Sequence, residues 1–578
     1  MKTIYKTLLP ALFLIVGALF LQSCEDDVDP RENARLFMPD SFIVKARYNG
    51  LTASWRRSPG VHHYEVDLAL NAEFDPIERT NLVHPDSLTT KFANLEERTQ
   101  YYLRLRAVSD KAELNSKYVY TQGKTDLMYS IFAEPTYQEL GYTYVTLRWT
   151  AEMAGDEEGV MVPVDADELV LTSSGAEDRS VEITPEILAA GSLKVEGLSE
   201  GVSYRATMKK DGGPISYISF KTPSVPDNGI LVDKDDDLKS TIESAPDGAI
   251  ILLTGGQKYD YSAQEIELTK AVTITGAPGA PSPVLYLKQF VVGGNTPGTY
   301  NMDHITISHL EISGVTLSGE TEDPSVKPAG QAVFFIPIPN NDVVYHITIG
   351  KLTMDDCVLR NYAASVIQVP GFTINLSSVH IGEISVNDAL VYDMRSDNNG
   401  KIGEVQSFIH LNRNGSESID IHCGKYSIKN STFHHLYTGL IEQRLGKGAI
   451  VPEVEIANCT FDQFAMPYKH EFVPENTSSR SFLNFNKLNA KVSISNCIFG
   501  QMKVDDKLLL KKKAFDGATG VFLNTYRVTD TNGYFTDIKD ASSIGHKAEE
   551  VFPGRDEFDY TIDPGMGVAG VGDPRWEK

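Results

Sequence analysis

Polar residues recur at matched places in four short apolar stretches. Gln368, His410, Glu442 and Asn484 end Ser365-Val-Ile-Gln368, Ser407-Phe-Ile-His410, Gly439-Leu-Ile-Glu442 and Ser481-Phe-Leu-Asn484. Two places further on stand Asn412, Arg444 and Asn486. If the stretches are strands stacked in register at about 4.8 Å per rung, each set becomes a column along a groove. Amides and carboxylates in such a column suit sugar hydroxyls, and the fork of Arg444 suits a carboxylate. The seven residues are thus a candidate polysaccharide-binding surface. The rival reading is the ordinary polarity of outward strand positions.

Catalytic chemistry is harder to find. A β-elimination needs a base beside a cation that neutralises the carboxylate. Lys425, Arg444, Lys469 and His470 are isolated candidates for the base, and no acidic triplet accompanies them. The His434-His435 pair follows a strand on a bend, a place where such pairs usually face solvent. Tyr437 and Tyr468 are the aromatics that could pack on a sugar ring. The run Asp233-Lys-Asp-Asp-Asp237 lacks the glycine and glutamate of an EF-hand, and no Cys/His spacing for zinc is present. No metal or cofactor is therefore expected, although calcium bridging to an anionic glycan stays open.

The element that must position these groups is a repeated phrase. It occurs as ITISHLEISGV at 305–315, LTMDDCVLRNY at 352–362, ISVNDALVYDM at 384–394, YSIKNSTFHHL at 426–436, VEIANCTFDQF at 454–464 and VSISNCIFGQM at 492–502. Each copy alternates apolar and polar residues, bends at an Asp or Asn, and resumes as a second strand. Asp356, Asn430, Asn458 and Asn496 occupy the bend, where an Asx side chain tolerates left-handed geometry, and stacking would make them a ladder. Copies start 47, 32, 42, 28 and 38 residues apart, so strands repeat while loops vary. A leucine-rich repeat would keep a period of roughly 20–29 residues. The pattern predicts a right-handed parallel β-helix. Cys357, Cys459 and Cys497 share the slot after the bend and read as packed thiols.

The flanks set the setting. Lys2 and Lys6, the apolar run Leu8 to Leu21, and Leu21-Gln-Ser-Cys24 make residues 1–23 a secretory signal. That ending resembles the lipobox of bacterial lipoproteins, which implies lipidation of Cys24 and attachment to a membrane. The acidic linker 24–35 begins Cys-Glu-Asp-Asp-Val-Asp and resembles the export tag of Bacteroidota surface lipoproteins. Residues 36–125 place Trp55 on an early strand and Leu95 six residues before Tyr101; residues 126–222 repeat the plan with Trp149, Leu198 and Tyr204. That spacing is a tyrosine corner, and both segments are similar to fibronectin type III modules. Residues 223–509 open with a short helix from Leu238 to Ala245 and glycine-broken strands, like the capped start of a pectate-lyase-like β-helix; 510–578 would close it.

The fold class expected is all-β: two fibronectin type III sandwiches, then a parallel β-helix. Together with the ending Gly572-Asp-Pro-Arg-Trp576, the chain resembles a Bacteroidota polysaccharide-utilisation lipoprotein. The resemblance implies an outer-membrane protein facing the cell exterior, with polysaccharide, possibly pectic, and other glycan-uptake proteins as partners. It supplies no catalytic residues, and the Gly-His-Gly and Arg-x-Lys strings of polygalacturonase-type hydrolases are absent. A polysaccharide lyase and a structural scaffold remain the alternatives to binding. The formal charge of −25 excludes nucleic acid as a partner, which needs a basic footprint. Residues 401–500, with ten Lys/Arg against nine Asp/Glu, form the stretch least repulsive to an anionic polymer.

Overall fold

The structure is a computed structural model that describes residues 35–578, apart from 128, 156–159, 176, 320–329, 338–343, 370–375, 395–406, 413–419, 437–438, 449, 465–480, 503–514, 532–540, 569 and 578. Cys24, Tyr437, Tyr468, Lys469 and His470 lie outside the described residues. The chain forms two compact units. The first holds residues up to 135, 146–195 and 201–222; the second holds 136–145, 196–200 and 223 onward.

The first unit is built on two antiparallel sandwiches. One pairs a three-stranded sheet (Ile43–Arg47, Gly50–Ser54, Thr89–Phe92) with a four-stranded one ordered Arg79–Val83, His63–Ala69, Gln100–Val108, Val119–Lys124. Strands of the second follow the same order: Phe132–Ala133, Tyr144–Trp149 and Ser192–Glu196 against Arg179–Glu182, Glu168–Ser173, Ser203–Lys210 and Gly213–Lys221. That split of early and late strands between sheets is the fibronectin type III plan. Alternation drives it: in Gln100–Val108 every second residue is buried, and Tyr101, Leu103, Leu105 and Ala107 join Trp55 and Tyr64 in one core. The Tyr101 hydroxyl accepts a hydrogen bond from the Glu96 amide at 3.1 Å, completing the first tyrosine corner.

In the second unit, 24 described strands from Gly229–Val232 to Ser542–Ser543 form one continuous parallel ladder. Each strand pairs with a strand one turn later, which makes the unit a parallel β-helix. The repeated phrase sets the register. Ile305 pairs with Leu352, Leu352 with Ile384, Ile384 with Tyr426, Tyr426 with Val454 and Val454 with Val492, so the first residues of all six copies lie in one column. Their alternate apolar residues fill the coil, where Phe433, Phe461 and Phe499 stack at 5.2–5.3 Å. The helix Leu238–Ser244, capped by Asp237 accepting from the Ser240 amide, buries Leu238 and Ile242 against the first turns.

Two kinds of sequence position shape the turns. At the Asx position, Asp356, Asp388, Asn430, Asn458, Asn496 and Asn524 all have φ between 45° and 54°. Four of these residues, with the residues before the other two, link rungs: Asn524 donates to Asn496, Asn496 to Asn458, Asn458 to Asn430, Asn430 to Asn387 and Asn387 to Asp355, at 2.7–3.1 Å. Asn430, Asn458 and Asn496 thus form the expected ladder; at its upper end it passes to the residues before the bend, and Asp356 instead lies 2.7 Å from His309 Nδ1. Two places before the second, third and fourth phrases stand Gly350, Gly382 and Gly424, where a Cβ would come within 2.4–3.1 Å of a carbonyl oxygen on the turn before. Cys357, Cys459 and Cys497 fill a buried column shared with Ala389, Ser431 and Thr525. Burial holds the Cys357 thiol up at about 12, so it stays protonated and packs as a small apolar group.

Candidate functional site

The four-residue column forms as spaced. Gln368 pairs with His410, His410 with Glu442 and Glu442 with Asn484. It does not line an open groove. His410 and Glu442 are 0% and 1% exposed, and Gln368 and Asn484 are buried too. The expectation of an outward-facing surface is corrected here: strand alternation gives the side a residue faces but not what packs over that side. The second row is only partly in line. An irregularity after His410 sets Asn412 against Gln443 instead of Arg444, while Asn486 and Arg444 are partly exposed.

The buried column is a charge network centred on Glu442. One of its carboxylate oxygens takes Arg444 Nη2 at 2.7 Å and Asn484 Nδ2 at 3.2 Å, and the other lies 3.2 Å from His410 Nδ1. A carboxylate out of water needs such partners, because an unpaired buried charge is costly. What the arrangement does chemically is hold three consecutive turns together.

The His434-His435 pair is also corrected: both rings are buried. His434 stacks on Tyr392 at 5.0 Å and meets a tilted Phe558 ring at 4.9 Å. Burial pushes the proton affinity of His434 well down and that of His435 down to about 3, so both stay neutral. The cover comes from residues 555–576. Arg555 pairs with the buried Asp462 at 2.9 Å. The Thr432 hydroxyl donates to Asp573 at 2.7 Å, the Asp573 amide donates to the Thr460 hydroxyl, and Trp576 Nε1 donates to Thr432. Arg575 reaches Asp388 at 2.7 Å. Gly572, at φ 94°, lies where a Cβ would stand 2.7 Å from Thr460 Oγ1. The Gly-Asp-Pro-Arg-Trp string is thus a clasp across three turns, with a contact that explains its Gly, Asp, Arg and Trp.

Two groupings outside the predicted set stand on accessible strand faces. One place before the last five phrases, Lys351, Glu383, Lys425, Glu453 and Lys491 pair successively down the coil, and Lys491 pairs with Thr519. Charge alternates along this column, with Lys351 and Lys425 at 3.4 and 3.8 Å from Glu383. Its lower half borders a shallow depression of about 470 Å³ lined by Lys425, Glu453, Glu455, Lys491, Ser493 and Thr519. Four places before the phrase, His380 and His422 face each other on adjacent strands, with rings 4.3 Å apart. Sequence spacing contains both signals: each residue holds a fixed offset from a repeat already visible.

No family model and no curated protein matches the chain. Among solved structures it is similar to a two-domain fibronectin type III segment from chicken tenascin, at 17% identity and TM-score 0.16, covering 32% of this chain and 99% of that one. It is also similar to the FN1–FN3 domains of chicken CNTN1, at 15% identity and TM-score 0.15, over 33% of this chain and 69% of that one. The reading of the first unit as two fibronectin type III-like sandwiches and the second as a parallel β-helix rests on their strand pairings.

Proposed function

We propose that this is a membrane-anchored surface lipoprotein, of the Bacteroidota glycan-utilisation kind, that binds polysaccharide along its β-helix and so supports glycan uptake. The observation that carries the reading is the accessible Lys351–Glu383–Lys425–Glu453–Lys491 column with its depression. Consecutive rungs lie about 4.8 Å apart, close to the length of one sugar residue in an extended chain. Lysines then recur every second rung, at about 9.6 Å, and could each meet a carboxylate on alternate sugars. The glutamates between them accept from hydroxyls. The near-neutral stretch 401–500 spares an acidic polymer the repulsion of the remaining chain. The contact surface proposed is this outer column, not the buried Gln368–His410–Glu442–Asn484 set.

The test is affinity electrophoresis and calorimetry against a uronate polymer and a neutral one. Replacing Lys425 and Lys491 by Ala should weaken uronate binding by roughly 1.5–3 kcal/mol, the size of a charge-assisted contact, and affect the neutral polymer less. Binding unchanged by the double substitution would overturn the assignment of this surface. Unsaturated product that disappears with Lys425→Ala would instead favour the lyase reading.

A further inference from the structure

We propose that His380, Asp420 and His422 form a binding site for a divalent transition-metal ion of the Zn²⁺ class. The three side chains come from two consecutive turns. His380 lies on Ser378–Asn387 and pairs with His422 on Asp420–Lys429, while Asp420 pairs with Ser378. Parallel in-register strands thus bring one imidazole above the other, and Asp420, two residues before His422, points to the same side of its strand. All three groups converge. Asp420 Oδ1 is 2.8 Å from His380 Nε2 and 3.6 Å from His422 Nδ1, and one ligand atom from each residue falls within 4.8 Å of the others.

Chemistry fits geometry. Two imidazole nitrogens and one carboxylate oxygen are the mixed donor set that zinc and its first-row neighbours prefer, whereas calcium takes oxygen alone. Tetrahedral ligands at about 2.0–2.2 Å from the ion stand roughly 3.4 Å apart, so shifts on the order of an ångström convert the present cluster into a site. His422 Nδ1 is buried and makes no hydrogen bond, and an ion would give it the partner that its surroundings do not. Gly448 lies close by, where a Cβ would stand 3.5 Å from Asp420 Oδ1. With three protein ligands, the remaining coordination position belongs to water or to an outside ligand. The ion joins two turns of the coil and is independent of the lysine–glutamate column.

The experiment uses the full chain, stripped with chelator and titrated with CoCl₂ and then ZnCl₂. One equivalent of Co²⁺ should bind with visible d–d absorption, zinc should displace it, and thermal unfolding should move upward with either ion. Asp420→Asn and His380→Ala, each checked by circular dichroism, should weaken binding by more than about tenfold and abolish the upward shift. The exposed neighbours His62 and His63, whose ring nitrogens lie 2.7 Å apart, are the internal control: replacing both with Ala should leave the cobalt spectrum unchanged. A stoichiometric signal that survives Asp420→Asn and His380→Ala, or vanishes with the His62/His63 variant, overturns the proposal. So does the absence of saturable binding to the unsubstituted chain.

Discussion

Arg444 shows how a residue's role turns on what surrounds it. Its guanidinium suggests a ligand clamp from sequence, and in the fold it is one of three groups that compensate the buried Glu442. Removing it leaves a buried carboxylate with fewer donors, so Arg444→Ala should destabilise the β-helix by roughly 1.5–3 kcal/mol. Adding Glu442→Gln should return part of that loss, because a neutral amide needs less compensation. Denaturant melts of the two single variants and the double variant check this. A thermodynamic cycle with no coupling between the two sites would show that the network does not act as a unit. The bends were more legible than the network. Asn430, Asn458 and Asn496 are named by short-range rules alone, since left-handed φ and side-chain self-bonding are local properties. Burial of Gln368, His410 and the His434-His435 pair is not local, and a periodic pattern cannot say which distant segment lies on top.

At the scale of the element, parallel in-register stacking poses an electrostatic problem. A column of identical side chains about 4.8 Å apart stacks like charges when they are lysines or glutamates. The Lys351–Glu383–Lys425–Glu453–Lys491 column answers by alternating sign from rung to rung. Glu453→Lys would set three lysines on consecutive rungs. It should lower stability by on the order of 0.5 kcal/mol at low ionic strength, and added salt should restore much of it. A melting temperature equally lowered at low and at high salt would point to packing instead. The same column illustrates what a degenerate repeat encodes. Apolar positions recur, so the fold is readable; offsets one and four places before the phrase vary in identity by design of the stack, so their pairing emerges only once the register is known.

The whole molecule is read from its ends. Cys24→Ala should shift the protein from the membrane fraction to the soluble one, since a thiol-linked lipid supplies the proposed anchorage; persistent membrane association would refute it. At the far end the clasp is pH-sensitive. Burial raises the carboxyls of Asp462 and Asp573 to about 6, against partial compensation by Arg555 and Arg575. A folded-state value above the unfolded one means the folded chain binds the proton more tightly, so these groups lose stability as pH rises from about 4 to 6 and change little above it. Asp573→Asn mimics the neutral form. The unsubstituted chain should therefore gain in melting temperature on Asp573→Asn as pH falls from 7 to 4, and a constant difference would show that Asp573 does not titrate in this range.

The clasp also has a consequence in time. Rungs of a β-helix can be laid down one after another, each on the edge left by its predecessor. Asp388, Thr432 and Thr460 belong to turns well before the end of the chain, and their polar partners lie at 573–576. During synthesis those turns come before the segment, more than a hundred residues later, that bonds to Thr432 and Thr460. A coil that grows by local steps is thereby given one long-range step, and the molecule reaches its full stability only after that step closes.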